Sequence, residues 1–322
     1  MGLRGSFIFF SLVFCLGRAY ANTELTAAIE NVREMCGGIG AELSDMKKMA
    51  GINTAVTSVG TVAGGVALGT GIAKAGVDKE LAQKESEIDK LMKNAGFVKL
   101  ETEDELLEVL GGMFGQTQTE IGKQIADSIA VRRDEISKLE QKSKNLGNWR
   151  TGMMATATAA NIAGAVIGGN NRVKGDLKTQ INGCLTSVKT LSNVRMQARM
   201  TGDVSEAQLA RAENIVSACE EWSMVDIGSI NKKASGATIS SGIGAGLGLA
   251  GTVTSAMANT DGTRNDNSDS GKAKEKNLNT ASNILAGGTT VATGVATVFN
   301  ATQIGAIKRA VETAEKCEGA LR

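Results

Sequence analysis

The chain has 322 residues, 35 Lys and Arg against 34 Asp and Glu, and neither histidine nor proline. The missing histidine excludes Ser-His-Asp and Cys-His catalysis and imidazole zinc ligation, while the even charge gives no global electrostatic case for nucleic acid. Aromatic residues make up 3% of the chain and gather near its start, so the core must be filled by Ala, Val, Ile, Leu and Met. With 40 glycines, closely packed helices fit this composition best.

The first element is an address. Arg4, the apolar run Ser6 to Gly17, Arg18 and the small-x-small end Ala19-Tyr20-Ala21 have the layout of a secretory signal peptide, residues 1–21, with cleavage expected before Asn22. An uncleaved anchor is the competing reading. Lipidation at Cys15 is disfavoured by Phe14, which stands where a small residue is needed. Removing the segment takes Arg4 and Arg18 from the 35 basic residues, leaving 33 against 34 acidic ones. The protein is thus expected to be exported to a periplasm or cell envelope, or secreted.

Four stretches without a charged residue follow: Ala50 to Ala73, Thr151 to Asn171, Ala234 to Thr260 and Asn277 to Ile307. Small residues recur every fourth position, along one helical face. The packing positions expected from this spacing are Gly60, Gly64, Gly65 and Gly69 in the first stretch and Gly152, Ala160, Gly164 and Gly168 in the second. Gly244 and Gly248 follow in the third, and Gly294 in the fourth. Glycine costs a helix interior about 1 kcal/mol relative to alanine, and close approach of a neighbouring backbone offsets that cost. The pattern resembles glycine-zipper and small-xxx-small surfaces of membrane helices and of tightly packed soluble hairpins. A strand reading of Thr54 to Val66 competes, but strict alternation is missing.

Four cysteines remain in the mature chain: Cys36, Cys184, Cys219 and Cys317. The run Glu30-Asn31-Val32-Arg33-Glu34-Met35-Cys36 aligns with Glu213-Asn214-Ile215-Val216-Ser217-Ala218-Cys219, and each precedes an uncharged stretch. Each half reads as helix with Cys, small-residue helix, connector, small-residue helix, helix with Cys. The expected fold is therefore all-α: two antiparallel helical hairpins from an internal duplication, residues 22–200 and 201–322. Hairpin geometry pairs Cys36 with Cys184 and Cys219 with Cys317. Unpaired buried thiols are the alternative, and zinc is disfavoured by the absence of histidine and C-x-x-C.

The connectors differ. Val77, Leu81, Ile88 and Leu91, then Ile121, Ile125, Ile129, Ile136, Leu139 and Leu146, form coiled-coil seams that extend the first hairpin into an arm, about residues 77–147. Between them Thr102-Glu103-Asp104-Glu105 reads as a capping box opening a helix from Glu103 to Leu110. The second connector, 261–276, reads as a flexible polar loop. Its Asp266-Asn267-Ser268-Asp269-Ser270-Gly271 resembles the opening of a calcium loop, but Asn277 stands where a bidentate carboxylate is required.

Chemical motifs are weak. Gly246-Leu247-Gly248-Leu249-Ala250-Gly251 satisfies G-x-G-x-x-G without the strand a dinucleotide site needs. Glu101, Glu103, Asp104 and Glu105 form a carboxylate run with nothing to define a cleft around it. No catalytic, cofactor-binding or metal residue is assigned. The residues lead to an exported, non-enzymatic envelope protein, structural or interacting, that acts through a protein partner or self-association of helices. The alternative is a membrane-inserted glycine-zipper anchor or pore. Lys48, Lys74, Arg150, Arg172 and Lys233 bracket the uncharged stretches, as interfacial anchors in a membrane or as exposed flanks of a soluble bundle.

Overall fold

The computed structural model describes residues 22–94, 119–202, 204–264 and 268–322. The expected signal peptide, the capping-box helix and the Glu101 to Glu105 carboxylates lie outside these residues. Among the described residues the chain is helical and contains no strand, so Thr54 to Val66 is helix rather than sheet. The elements are α1 (22–36), α2 (Ile39–Asn94), α3 (Thr119–Asn170), α4 (Gly175–Thr201), α5 (Glu206–Glu220), α6 (Ile227–Ala258) and α7 (Asp269–Leu321). A 3-10 turn, Glu221–Met224, follows α5, and a one-turn helix, Asp261–Arg264, follows α6.

Local chemistry sets the breaks. Gly38, at φ 83°, separates α1 from α2, a left-handed conformation that glycine adopts freely. Gly202, at φ 64°, ends α4, its N–H bonded to the Ala198 carbonyl at 3.2 Å. The Ser205 hydroxyl then caps α5 by accepting from the Gln208 N–H at 3.3 Å. Proline is absent, so nothing interrupts α2, α3 or α7, each more than 50 residues long. The expected loop at 261–276 is corrected. Residues 261–264 are helical, and Ser268 accepts the Gly271 N–H at 3.0 Å where α7 starts at Asp269.

The described residues form two compact units. One draws on 22–58, 162–242 and 294–322, the other on 59–94, 119–161 and 243–293. Helices α2, α3, α6 and α7 contribute to both. The first unit holds the larger apolar core, in which Leu25, Val32, Ile39, Leu43, Leu191, Ile215, Trp222, Ile230 and Ile307 are buried around the four cysteines. Its ends are tied by Arg33, which donates to the Leu321 carbonyl at 2.7 Å, and by the Gly40 N–H, which donates to Glu318 at 3.1 Å. Among the described residues the second unit holds a smaller apolar cluster, Ala67, Met154 and Ala286. Beside it the same unit buries apolar Ala63, Val77, Ile88, Ile129, Ala157 and Ala258 and a number of polar groups.

Candidate functional site

Cys36 is bonded to Cys184 and Cys219 to Cys317, bridging 148 and 98 residues of chain. All four are buried. The sulfurs of Cys36, Cys184 and Cys317 lie within 4.8 Å of one another, a spacing compatible with metal binding. Both pairs are consumed as disulfides, however, and no thiolate is left to ligate a metal. Trp222 is buried among these cysteines with its indole N–H unpaired. No spacing rule in the sequence distinguishes it from Trp149, which is 61% exposed.

The small-residue faces divide into two groups. In the first unit a Cβ at Gly164 would stand 2.8 Å from the Thr57 methyl and 3.0 Å from the Ser241 hydroxyl, and one at Gly168 would meet Thr238 at 2.9 Å. In the second unit a Cβ at Gly60 would come within 3.0 Å of Thr293 and 3.1 Å of Ala160, and one at Gly64 within 2.7 Å of Thr290. Gly244 faces Asn161 and Gly248 faces Thr158. By contrast Gly65, Gly69, Gly152 and Gly294 have no neighbouring atom within 4 Å where a Cβ would stand. At those four positions no neighbouring helix approaches the backbone closely, so close backbone approach accounts for only part of the glycine content.

The contacts inside each unit follow one order. In the first unit α2 meets α7 through Asn53, whose amide donates to Asn300 at 2.9 Å, while Asn300 donates to Thr57 at 3.4 Å. Gln303 donates to the Asn171 carbonyl at 2.9 Å. In the second unit Asn161 of α3 donates to Thr293 of α7 at 2.8 Å, and Ser282 of α7 donates to the Gly251 carbonyl of α6 at 3.3 Å. The second unit also buries charge. Lys74, 1% exposed, donates to Asp78 at 2.7 Å and Glu275 at 3.1 Å. Ser143 donates to the other Asp78 oxygen at 2.6 Å. Arg150 is fully buried and donates to Ser255, Asn283 and Asn279 at 3.0, 3.1 and 2.7 Å. Gly71 makes room for this network, since a Cβ there would collide with the Asn283 side chain.

Along the uncharged stretches a number of apolar side chains are exposed while polar ones are buried. In the first unit Ile52, Ile162, Val166, Ile239, Val295 and Val298 are exposed; in the second Val59, Val62, Ile72, Ile243, Leu249, Val253, Ile284 and Val291 are exposed, up to 69% for Ile284. Meanwhile Asn53, Thr57, Asn161, Ser241, Ser282, Thr289, Thr293, Asn300 and Gln303 are buried. Outward-facing threonines are satisfied within their own helices. Thr156, Thr254 and Thr302 donate to the carbonyls four residues back at 3.0, 2.9 and 3.0 Å. The most apolar 18-residue windows, within 22–90 and 270–321, reach mean hydropathy 1.4 and 1.3, yet only 33% and 28% of them is buried. Core helices of a water-soluble protein would be mostly covered.

The arm is an antiparallel pair. Lys84 bridges to Glu135 at 2.9 Å, Arg132 to Glu87 at 3.1 Å, and the buried Ile88 and Ile129 lie on the seam. The hydrogen bond and charge of Glu135 hold the Lys84 ammonium above its ordinary range, and Asp134 does the same for Lys138. Gly246 to Gly251, the dinucleotide-like run, lies inside α6 and lacks the strand-to-helix turn that would cradle a pyrophosphate. At the calcium-like run, Ser268 and Ser270 bond to each other at 2.9 Å and Ser268 caps α7, so both hydroxyls are already engaged. Comparison with known protein families, curated proteins and solved structures returns no match.

Proposed function

We propose that this is an exported, non-enzymatic envelope protein embedded in a lipid membrane by its four uncharged helical stretches, with the coiled-coil arm as its interaction element. The observation that carries this reading is the placement of polar and apolar side chains along the uncharged stretches. Asn, Thr and Ser side chains are bonded to one another inside, while Val, Ile and Leu are exposed on all four helices. Water would leave that exterior unsatisfied at about 25 cal/mol per Å² of apolar area. A single protein partner covers one face, whereas lipid covers every face. Interhelical packing in lipid relies on small residues and side-chain hydrogen bonds because apolar burial supplies little driving force there, and the interiors have that chemistry.

Lengths and flanks agree. Each uncharged stretch has 21 or more residues, enough to cross a hydrocarbon core of about 30 Å at roughly 1.5 Å per residue. Lys47, Lys48, Arg172, Lys232 and Lys233 stand at stretch ends, and the exposed Trp149 sits two residues before the second stretch, as interfacial aromatic residues do. Washing membranes of expressing cells with alkaline carbonate tests the reading. The protein is expected to stay in the pellet until detergent is added; release by the wash overturns membrane embedding and leaves a peripheral or soluble bundle.

A further inference from the structure

The disulfides constrain which helices cross. Cys36 precedes the first uncharged stretch, Cys184 and Cys219 fall between the second and the third, and Cys317 follows the fourth. A disulfide joins sulfurs on the same side of a membrane. The Cys36–Cys184 bond therefore requires that the first and second stretches both cross or that neither does, and the Cys219–Cys317 bond imposes the same rule on the third and fourth. Among the described residues hydropathy alone selects two spans, one within 22–90, where α2 carries the first uncharged stretch, and one within α7. Two crossings at those positions alone would put Cys36 and Cys184 on opposite sides, and likewise Cys219 and Cys317. If α2 and α7 span, α3 and α6 must span with them.

We infer that the protein crosses the membrane four times, with all four cysteines on the exported, oxidising side and both connectors, 74–150 and 261–276, on the opposite, reducing side. The inference rests on the membrane-embedded reading. Two further observations support it. The connectors touch each other within one unit: Lys74 bridges to Glu275 at 3.1 Å, Lys272 to Glu85 at 3.7 Å, and Arg264 donates to the Glu140 carbonyl at 3.0 Å, which requires that both lie on one side. Neither connector contains a cysteine, whereas every mature cysteine falls in the segments assigned to the oxidising side. The arm is thereby placed where it meets partners of the inner compartment.

The test is side-specific labelling of introduced cysteines in the full-length protein. Ser86→Cys and Ser270→Cys place an exposed thiol in each connector, and Met200→Cys places one on α4, where Met200 is 78% exposed. Unchanged non-reducing gel mobility of each variant verifies that the native disulfides persist. With a membrane-impermeant maleimide on sealed cells, Met200→Cys is expected to label at once, and Ser86→Cys and Ser270→Cys only after permeabilisation. Labelling of Ser86→Cys or Ser270→Cys in sealed cells, with the protein resistant to carbonate, overturns the topology alone. The same labelling together with release by carbonate overturns the membrane reading itself.

Discussion

At the scale of single residues, the same residue type does two jobs. Gly64 and Gly65 are adjacent, yet a Cβ at Gly64 would stand 2.7 Å from the Thr290 hydroxyl and 3.4 Å from its backbone, while one at Gly65 meets nothing. Gly64→Ala is expected to destabilise by roughly 1–3 kcal/mol through overpacking. Gly65→Ala is expected to gain up to about 1 kcal/mol from helix propensity. Thermal unfolding in detergent, read by circular dichroism, separates the two. Lys74 offers a charge test. Lys74→Met leaves Asp78 and Glu275 facing a buried site without their cation, and the loss is expected near the low end of about 3–5 kcal/mol because both carboxylates retain some solvent. A midpoint within error of the parent's would show that water replaces the ammonium.

At the scale of elements, the disulfides and the arm respond to different variables. Each bridge closes a long loop of chain, so Cys219→Ser is expected to cost roughly 2–5 kcal/mol, measurable as a lower unfolding midpoint that reductant lowers no further at that bond. The arm is held by exposed ion pairs, which salt screens. Lys84 has its folded pKa raised above 10.5 by Glu135. Stabilisation from that pair is therefore complete below the unfolded value and disappears as pH rises through the folded one. Amide exchange in the helical arm, corrected for its intrinsic pH dependence, should stay flat up to about that unfolded value and quicken above it. Lys84→Gln should abolish the additional step, and its persistence in the variant would assign it elsewhere.

At the scale of the whole molecule, the polarity of the helices and the pairing of the cysteines are separate pieces of information with one consequence. Under the proposed membrane reading, exposed Val and Ile meet lipid around the helices, and the disulfides restrict the crossings to an even pairing. Much of the helical fold was legible in the chain. Absence of proline, fourfold recurrence of small residues and uncharged stretches of 21 residues or more specify long helices, because no local feature interrupts the backbone ladder and no charge opposes burial or insertion. The E-N-apolar motif with its cysteine gave the hairpin pairing, since antiparallel helices bring residues at matching heights together.

Other features were not legible in the chain. Which glycines face a neighbour depends on helix rotation: successive residues stand about 100° apart around the axis, so the ridge of Gly60 and Gly64 packs while that of Gly65 and Gly69 does not. The loop expected at 261–276 became mostly helix because Ser268 supplied a cap, where composition alone suggested a linker. The burial of Lys74 and Arg150 could not be read from flanking position, since it requires Glu275, Asn279, Asn283 and Ser255 from α6 and α7. Sequence by itself determined the helical class, a consequence of local propensity, and chain order suggested the cysteine pairing that the folded chain shows. Only the tertiary structure decided which faces turn inward, because that depends on the surfaces three other helices present.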